Sequence, residues 1–273
     1  MPINYFQKFS FGNITRKIVG PYAKAILTES EEGRFLVHPQ DSFVGLQLRR
    51  SGKYNPNEID RLKPYINETT KILVVGAHIG ALVIPLSRLS KEVIAIEANP
   101  RNFELLELNV SLNGVKNCTV MNFAASDKEE TIPFLLGKEN TGGSKRVPIK
   151  KDNIYYYDSP DEVSVHAYPL ESKLDKLDYD IVIMDIEGSE YFALKGMQSI
   201  LKNTKVLVVE YLPHALKNVA GVDVRSFLDT ISPHFSKLKV ESLNLEVNSD
   251  QFFDVLNDMY QKDQCDDGLI FMK

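Results

Sequence analysis

An α/β fold built on a largely parallel sheet is what this sequence predicts, and three observations predict it. Short Val, Ile and Leu runs recur from Ile72 onward, namely ILVV, VIAI, CTVMNF, IVIMDI and VLVVE, which is the texture of strands buried on both faces. Helical patterns separate several of these runs, and a glycine turn, VVGAHIG, follows the first of them.

At 273 residues with 43% apolar composition, the chain can bury one substantial core. The reading divides it into an N-terminal helical decoration over residues 1–70 and a main domain over 71–273. The formal net charge of -5 argues against nucleic acid as a partner, since such binders concentrate Lys and Arg on one face. Cys118 and Cys265 are the two cysteines, without zinc or disulfide-framework spacing, which suits a reducing compartment. The start, MPINYFQKFSFGNITRKIVG, lacks the layout of a signal peptide, and no run is long enough to span a bilayer. A cytoplasmic protein without a membrane partner is expected, and the oligomeric state leaves no trace in the residues.

Taken in order, Ile14, Ile18, Tyr22 and Ile26 fall at helical spacing and predict a helix over Ile14 to Ser30. Asn55-Pro56 followed by Glu58 reads as a capped helix start. After ILVV and VIAI comes NPRNFELLELNVSLNG, in which Asn99 can cap, Pro100 suits the first helical position and Asn113-Gly114 supplies a left-handed stop. The stretch from Gly137 to Glu162 is polar and turn-rich, a lid or a disordered loop on its length. A helix near Val222 to Ile231, a strand-like LKVESLNLEV, a helix near Phe252 to Tyr260 and a terminal LIFM strand complete the sheet.

A strand, a glycine turn and a helix together offer backbone N–H groups to an anionic ligand. Gly76-Ala77-His78-Ile79-Gly80 places a histidine where a dinucleotide fingerprint needs its middle glycine, and a Walker lysine-serine pair is absent as well. Glu97 ends the next strand, twenty-one residues after Gly76, where a carboxylate can accept from both hydroxyls of a ribose. A nucleoside without a pyrophosphate fits both features. An ordinary tight turn with a solvated strand-end acid is the plainer alternative.

VVGAHIG, VIAIEANPRNFELLELNVSLNG, NFAASDKEETIPF and IVIMDIEGSEYFALKGMQSIL together resemble the FkbM-type S-adenosylmethionine-dependent methyltransferases over about two-thirds of the chain. The D-I-E-G-S-E segment followed by L-K-G is the most specific part. The resemblance implies a class I methyltransferase fold: a Rossmann-like seven-stranded sheet with helices on both faces and an antiparallel final strand. It implies S-adenosylmethionine as cofactor, with Gly76, Ala77 and Gly80 facing its methionine part, together with His78 in the same turn. Glu97 would face the ribose, and the Asn122 to Asp127 region, including Ala124, the adenine. The family usually carries aspartate where Val74 stands and asparagine where His78 stands.

Asp185 and Glu187 lie two apart at a strand end, so both side chains can project from one face. An aliphatic hydroxyl needs help to lose its proton, and these carboxylates can act as base, as orienting groups or as oxygen ligands to a divalent cation. Direct positioning is favoured, with no metal required. Glu190 fits the first turn of the following helix as favourable charge. Glu210 ends VLVVE, and His214 just beyond it is a second candidate base. Lys145, Arg146, Lys150 and Lys151 with Tyr155, Tyr156 and Tyr157 either grip an anionic or sugar-like acceptor or form an ordinary solvated loop. The resemblance implies an enzyme that methylates a hydroxyl of a small molecule, of saccharide or secondary-metabolite type. A repurposed nucleoside-binding scaffold and a nicotinamide-dependent oxidoreductase are the alternatives.

Overall fold

The computed structural model describes residues 5–273, so residues 1–4 of the expected decoration lie outside it. The chain begins with a helix, α1 (Tyr5–Val19), and a hairpin of β1 (Ile26–Ser30) and β2 (Gly33–Val37). Two further helices, α2 (Val44–Ser51) and α3 (Pro56–Leu62), lead to β3 (Lys71–Val75). The helix expected over Ile14 to Ser30 therefore stops at Val19 and gives way to a strand. Its periodic side chains Ile14, Ile18 and Tyr22 are exposed, so that spacing marks no core face. At α3, Asn55 forms no side-chain cap; its amide instead donates to Glu58 Oε2 at 2.9 Å.

From β3 onward strands and helices alternate: α4 (Val83–Leu89), β4 (Glu92–Ile96), α5 (Pro100–Leu112) and β5 (Cys118–Met121). Asn99 caps α5 as its residue type dictates, accepting from the amides of Arg101 and Asn102. Next come β6 (Ala124–Ala125), β7 (Glu130–Leu136), β8 (Lys145–Arg146), β9 (Asp161–Tyr168) and β10 (Ile181–Met184). The chain ends through β11 (Val206–Tyr211), β12 (Lys237–Val240), β13 (Leu245–Asn248) and β14 (Asp266–Met272).

The main sheet has the order β13-β12-β14-β11-β10-β3-β4-β5 among the described residues. Strands β5, β4, β3, β10 and β11 run parallel, and β14 inserts antiparallel between β11 and β12. This is the expected seven-stranded arrangement with an eighth strand added. LKVESLNLEV supplies the extra one, because a short 3-10 turn at Glu241–Leu243, followed by Asn244 at φ 48°, folds it into the β12-β13 hairpin. Two apolar layers cover the sheet, one containing Leu73, Val182 and Leu207, the other Ile72, Val74 and Ile183. Alternate residues of the same strands go to opposite layers, as the two-residue period of a strand requires.

Beside this sheet stands a second one, ordered β6-β9-β7-β8. It absorbs part of the segment expected as a lid or a disordered loop: Lys145 and Arg146 pair with Leu135 and Phe134 of β7. The rest of that segment carries a 3-10 turn at Asn153–Tyr155 and packs Tyr155 against Ala215 and Val219.

Candidate active site

The carboxyl ends of β3, β4, β10 and β11 converge on a cavity of about 730 Å³, lined among others by Gly76, Ala77, His78, Glu97, Asp185, Glu187 and Glu210. Gly76 leaves β3 at φ 92°, and a Cβ there would collide with the backbone carbonyl oxygen of Asp185 on the neighbouring strand. Close passage of two strand ends, together with the left-handed backbone, demands glycine at this point.

The turn is closed upon itself. The amides of Gly76 and Ala77 both donate to Ile96 O at 2.9 Å, and Gly80 donates to Ala77 O at 2.9 Å. His78 N donates to Glu97 Oε2 at 2.7 Å, and Asn99 N donates to Glu97 Oε1 at 2.8 Å. The free amides that the glycine turn suggested are thus already used, and no phosphate-cradling nest remains among these four residues. Each Glu97 oxygen keeps a second lone pair for a ligand hydroxyl. Burial pushes the Glu97 carboxyl up to about 7, against the two amide bonds that favour its charge.

His78 sits at φ 50°, a left-handed position that histidine tolerates. Its Nε2 lies 2.7 Å from Thr141 Oγ1, and the Thr141 hydroxyl donates to Asp41 Oδ2. Because Thr141 spends its proton on Asp41, His78 must donate through Nε2. Burial lowers the His78 pKa to about 4, with Asp41 opposing the shift, so the ring is neutral near pH 7. His78 is a structural link between the glycine turn, the β7-β8 connection and the N-terminal segment.

At the other end, D-I-E-G-S-E forms a tight strand-to-helix connection. Glu187 adopts φ 57° and Gly188 φ 99°, and a Cβ on Gly188 would lie 2.8 Å from Val219 and 2.9 Å from Ala215. Glu190 is buried and accepts from Ile186 N at 2.9 Å, tying the loop to the helix that follows it. Burial raises the Glu190 pKa to about 7.

Carboxylate oxygens of Asp185, Glu187 and Glu210 lie within 4.8 Å of one another, a set that could hold a cation by geometry. Asp185 is exposed, and the space it faces is the cavity. Lost hydration, then the charge of Glu187, holds the Asp185 carboxyl well above the usual range; for Glu210 the causes are lost hydration and then Asp185. Glu210 Oε2 is buried without a hydrogen-bond partner. Lys145 Nζ donates to Glu187 Oε2 at 2.7 Å; burial works against its charge, but Glu187 outweighs it and the lysine pKa rises.

The other sequence-derived residues are placed as follows. Ala124 lines the large cavity. Gly80 shapes the turn without lining the cavity, and Asn122 Nδ2 donates to the backbone carbonyl oxygen of Glu97 at 2.7 Å. Asp127 pairs with Lys195 at 2.8 Å and is not among the lining residues. His214 lines a second, adjacent cavity with Glu187 and Glu210. Its Nδ1 lies 3.0 Å from Tyr155 Oη, and burial lowers its pKa. Sequence reasoning did not single out Tyr54, Glu58, Phe134 and Asn140, which also line the large cavity. Burial, then the charge of Asp185, raises the Tyr54 pKa, which keeps that phenol protonated.

A parallel Rossmann-like sheet with an antiparallel β14, a closed glycine turn and an acid after the second parallel strand defines the class I methyltransferase fold. Residues 75–238 match the family model described as the methyltransferase FkbM domain, so the chain belongs to that family. Among solved structures, methyltransferase FkbM from Methylobacillus flagellatus KT is similar at 19% identity and a TM-score of 0.45, over 74% of this chain and 43% of that one. A precorrin-6y C5,15-methyltransferase from Geobacter metallireducens GS-15 is similar at 12% identity and a TM-score of 0.43, covering 81% of this chain and 91% of that one. The tRNA m1G37 methyltransferase of M. jannaschii is similar at 12% identity and a TM-score of 0.44, over 93% and 58% of the two chains. This chain therefore spans less than half the length of the first of these relatives. The comparison with curated proteins found no match.

Proposed function

We propose that the protein transfers a methyl group from S-adenosylmethionine to a hydroxyl oxygen of a small molecule, of saccharide or secondary-metabolite type. One observation carries the reading: a single cavity is lined by the glycine turn and Glu97 together with Asp185 and Glu210. Its turn has no spare amide nest for a pyrophosphate, which favours a nucleoside cofactor over a dinucleotide.

When bound, S-adenosylmethionine supplies an electrophilic methyl carbon on a sulfonium. Glu97 accepts the ribose hydroxyls, while Gly76 and Ala77 let the methionine part lie against backbone. Asp185 would orient the acceptor hydroxyl and take its proton as the methyl group supplied by the bound cofactor passes to the acceptor oxygen. Glu210 lies beside Asp185, its carboxyl raised by burial and then by the charge of Asp185, and completes the acidic group that faces the acceptor. Lys145 holds Glu187 in place beside them through its bond to Oε2. A metal is not required by this scheme.

The test is a screen with methyl-labelled S-adenosylmethionine against saccharides and hydroxylated metabolites. Label should appear in an ether linkage with wild-type protein and disappear with Asp185→Asn. Label on nitrogen or carbon would refute oxygen transfer. A second reading, binding without turnover, is favoured by Val74, which lines the cavity where the family usually has aspartate. Saturable binding of S-adenosylhomocysteine with no product from any acceptor would support it.

A further inference from the structure

A second cavity of about 490 Å³ adjoins the first, and Asn140, Glu187 and Glu210 line both. The two spaces therefore meet at the carboxylates that the proposed chemistry uses. Apolar and ring-bearing residues line the second cavity, among them Ile154, Tyr157, Pro160 and Leu212, and the polar side chains Lys145, Asp158, Glu187, Glu210 and His214 line it with them.

The charges on these walls are largely spoken for. Lys145 is paired with Glu187 and lies 5.3 Å from the Tyr155 ring centroid. Asp158 accepts from the amides of Lys138 and Glu139. Arg146 is turned elsewhere, bonded to Ser126 and Glu130 and stacked over Phe192. Lys150 and Lys151 are exposed and line neither cavity. Carboxylates thus outnumber the cations facing this space, and no unpaired cation awaits an anionic group. What the lining offers a ligand is apolar surface at Ile154, Tyr157, Pro160 and Leu212, together with the remaining ammonium donors of Lys145 and the unpartnered oxygen of Glu210.

We propose that this second cavity is the acceptor site and that it takes an uncharged polyhydroxylated ring, rejecting carboxylated or phosphorylated ones. The ring's apolar face packs on Tyr157, Pro160 and Leu212, and its hydroxyls bond to Lys145 and Glu210, which brings one hydroxyl to the junction with the large cavity. Surface rings combine apolar area with little loss of freedom, which suits a weakly hydrophobic ligand. Anions are disfavoured because each would sit beside carboxylates with no free partner. This inference rests on the methyltransferase reading and adds the place and charge class of the acceptor to it.

The experiment uses saturation-transfer NMR on full-length protein loaded with S-adenosylhomocysteine. The probes are methyl α-D-glucopyranoside and sodium D-glucuronate, offered to wild type and Ile154→Trp. Ile154 is a half-exposed rim residue, so an indole there fills the cavity without disturbing the core. The neutral glycoside should saturate, the glucuronate should bind about ten-fold more weakly, and Ile154→Trp should lose glycoside binding by about ten-fold while keeping its affinity for S-adenosylhomocysteine. A glycoside signal indifferent to Ile154→Trp, tighter glucuronate binding, or no glycoside signal from protein that binds S-adenosylhomocysteine would each overturn the assignment. Failure to bind S-adenosylhomocysteine would instead strike the methyltransferase reading, and this inference with it.

Discussion

Glu97 and Glu210 are both glutamates at the carboxyl ends of parallel strands in one sheet, and their surroundings are wired in opposite ways. Glu97 has an amide on each oxygen, from His78 and Asn99. Glu210 faces Asp185 and Glu187 and keeps one oxygen without a partner. An acid fixed by backbone amides holds its position and suits binding. An acid pressed against other acids exchanges its proton readily and suits chemistry. Under the proposed function, the difference would give the cavity a holding end at Glu97 and a reacting end at Asp185 and Glu210.

The most forceful way to break this division is at Gly76, where the two ends touch. Gly76→Ala forces a Cβ into the Asp185 carbonyl oxygen and should cost more than about 4 kcal/mol in urea denaturation. Gly114→Ala, also at positive φ but with open space around it, should cost only about 1 kcal/mol in the same assay.

Next in size is the reacting end. Asp185→Asn should lower turnover with an identified acceptor by about 10² to 10³-fold. Its affinity for S-adenosylhomocysteine, measured by calorimetry, should stay within about two-fold. Unchanged turnover would remove Asp185 from the mechanism.

Glu97→Gln probes the holding end. It replaces one amide-bonded oxygen by an NH2 group that cannot accept, so S-adenosylhomocysteine binding should weaken by about ten-fold or more, or about 1–3 kcal/mol. Turnover at saturating cofactor should change far less. A mutant that lost turnover and kept affinity would reverse the two roles.

Proton linkage sharpens the contrast at smaller amplitude. Folding raises the Asp185, Glu210, Glu190 and Glu97 carboxyls, the last two to about 7. A carboxyl raised by folding stabilises the native state at low pH, and that contribution is lost as pH rises through the folded value. His38, His78 and His214 are lowered, which acts in the opposite sense, but only below the unfolded histidine value of about 6.5. Between about pH 6.5 and 8 the carboxylates dominate, so the thermal midpoint should fall by about 3 °C. Glu210→Gln should flatten that decline in scanning calorimetry; an undiminished slope would show that the buried acids do not hold protons.

The smallest expected effect belongs to Asp127. Its ion pair with Lys195 is partly exposed, so Asp127→Ala should cost at most about 1 kcal/mol of stability and leave S-adenosylhomocysteine affinity within about two-fold. A ten-fold loss would return Asp127 to the adenine site that family resemblance suggests.

Much of this was legible before the structure. Buried parallel strands announce themselves as continuous Val and Ile runs, and Asn99-Pro100 with Asn113-Gly114 framed α5 because caps are local chemistry. The β1-β2 hairpin was hidden because five-residue strands carry little period, while the Ile14 to Ile26 spacing imitated a helix. In β7 the Pro133 in mid-strand masked the pattern, although EVSVHAY in β9 alternates visibly. The strand-end acids Glu97, Asp185 and Glu210 could be seen because a parallel sheet brings its carboxyl ends together. The chain Asp41 to Thr141 to His78 joins residues 100 positions apart, and no local signal can announce such a contact.

The most direct test of the account is calorimetric titration of the wild-type protein with S-adenosylhomocysteine, with NAD as comparison. Saturable binding of one S-adenosylhomocysteine per chain with no response to NAD is the expected result. NAD-selective binding, or no binding of either by folded protein, would contradict it.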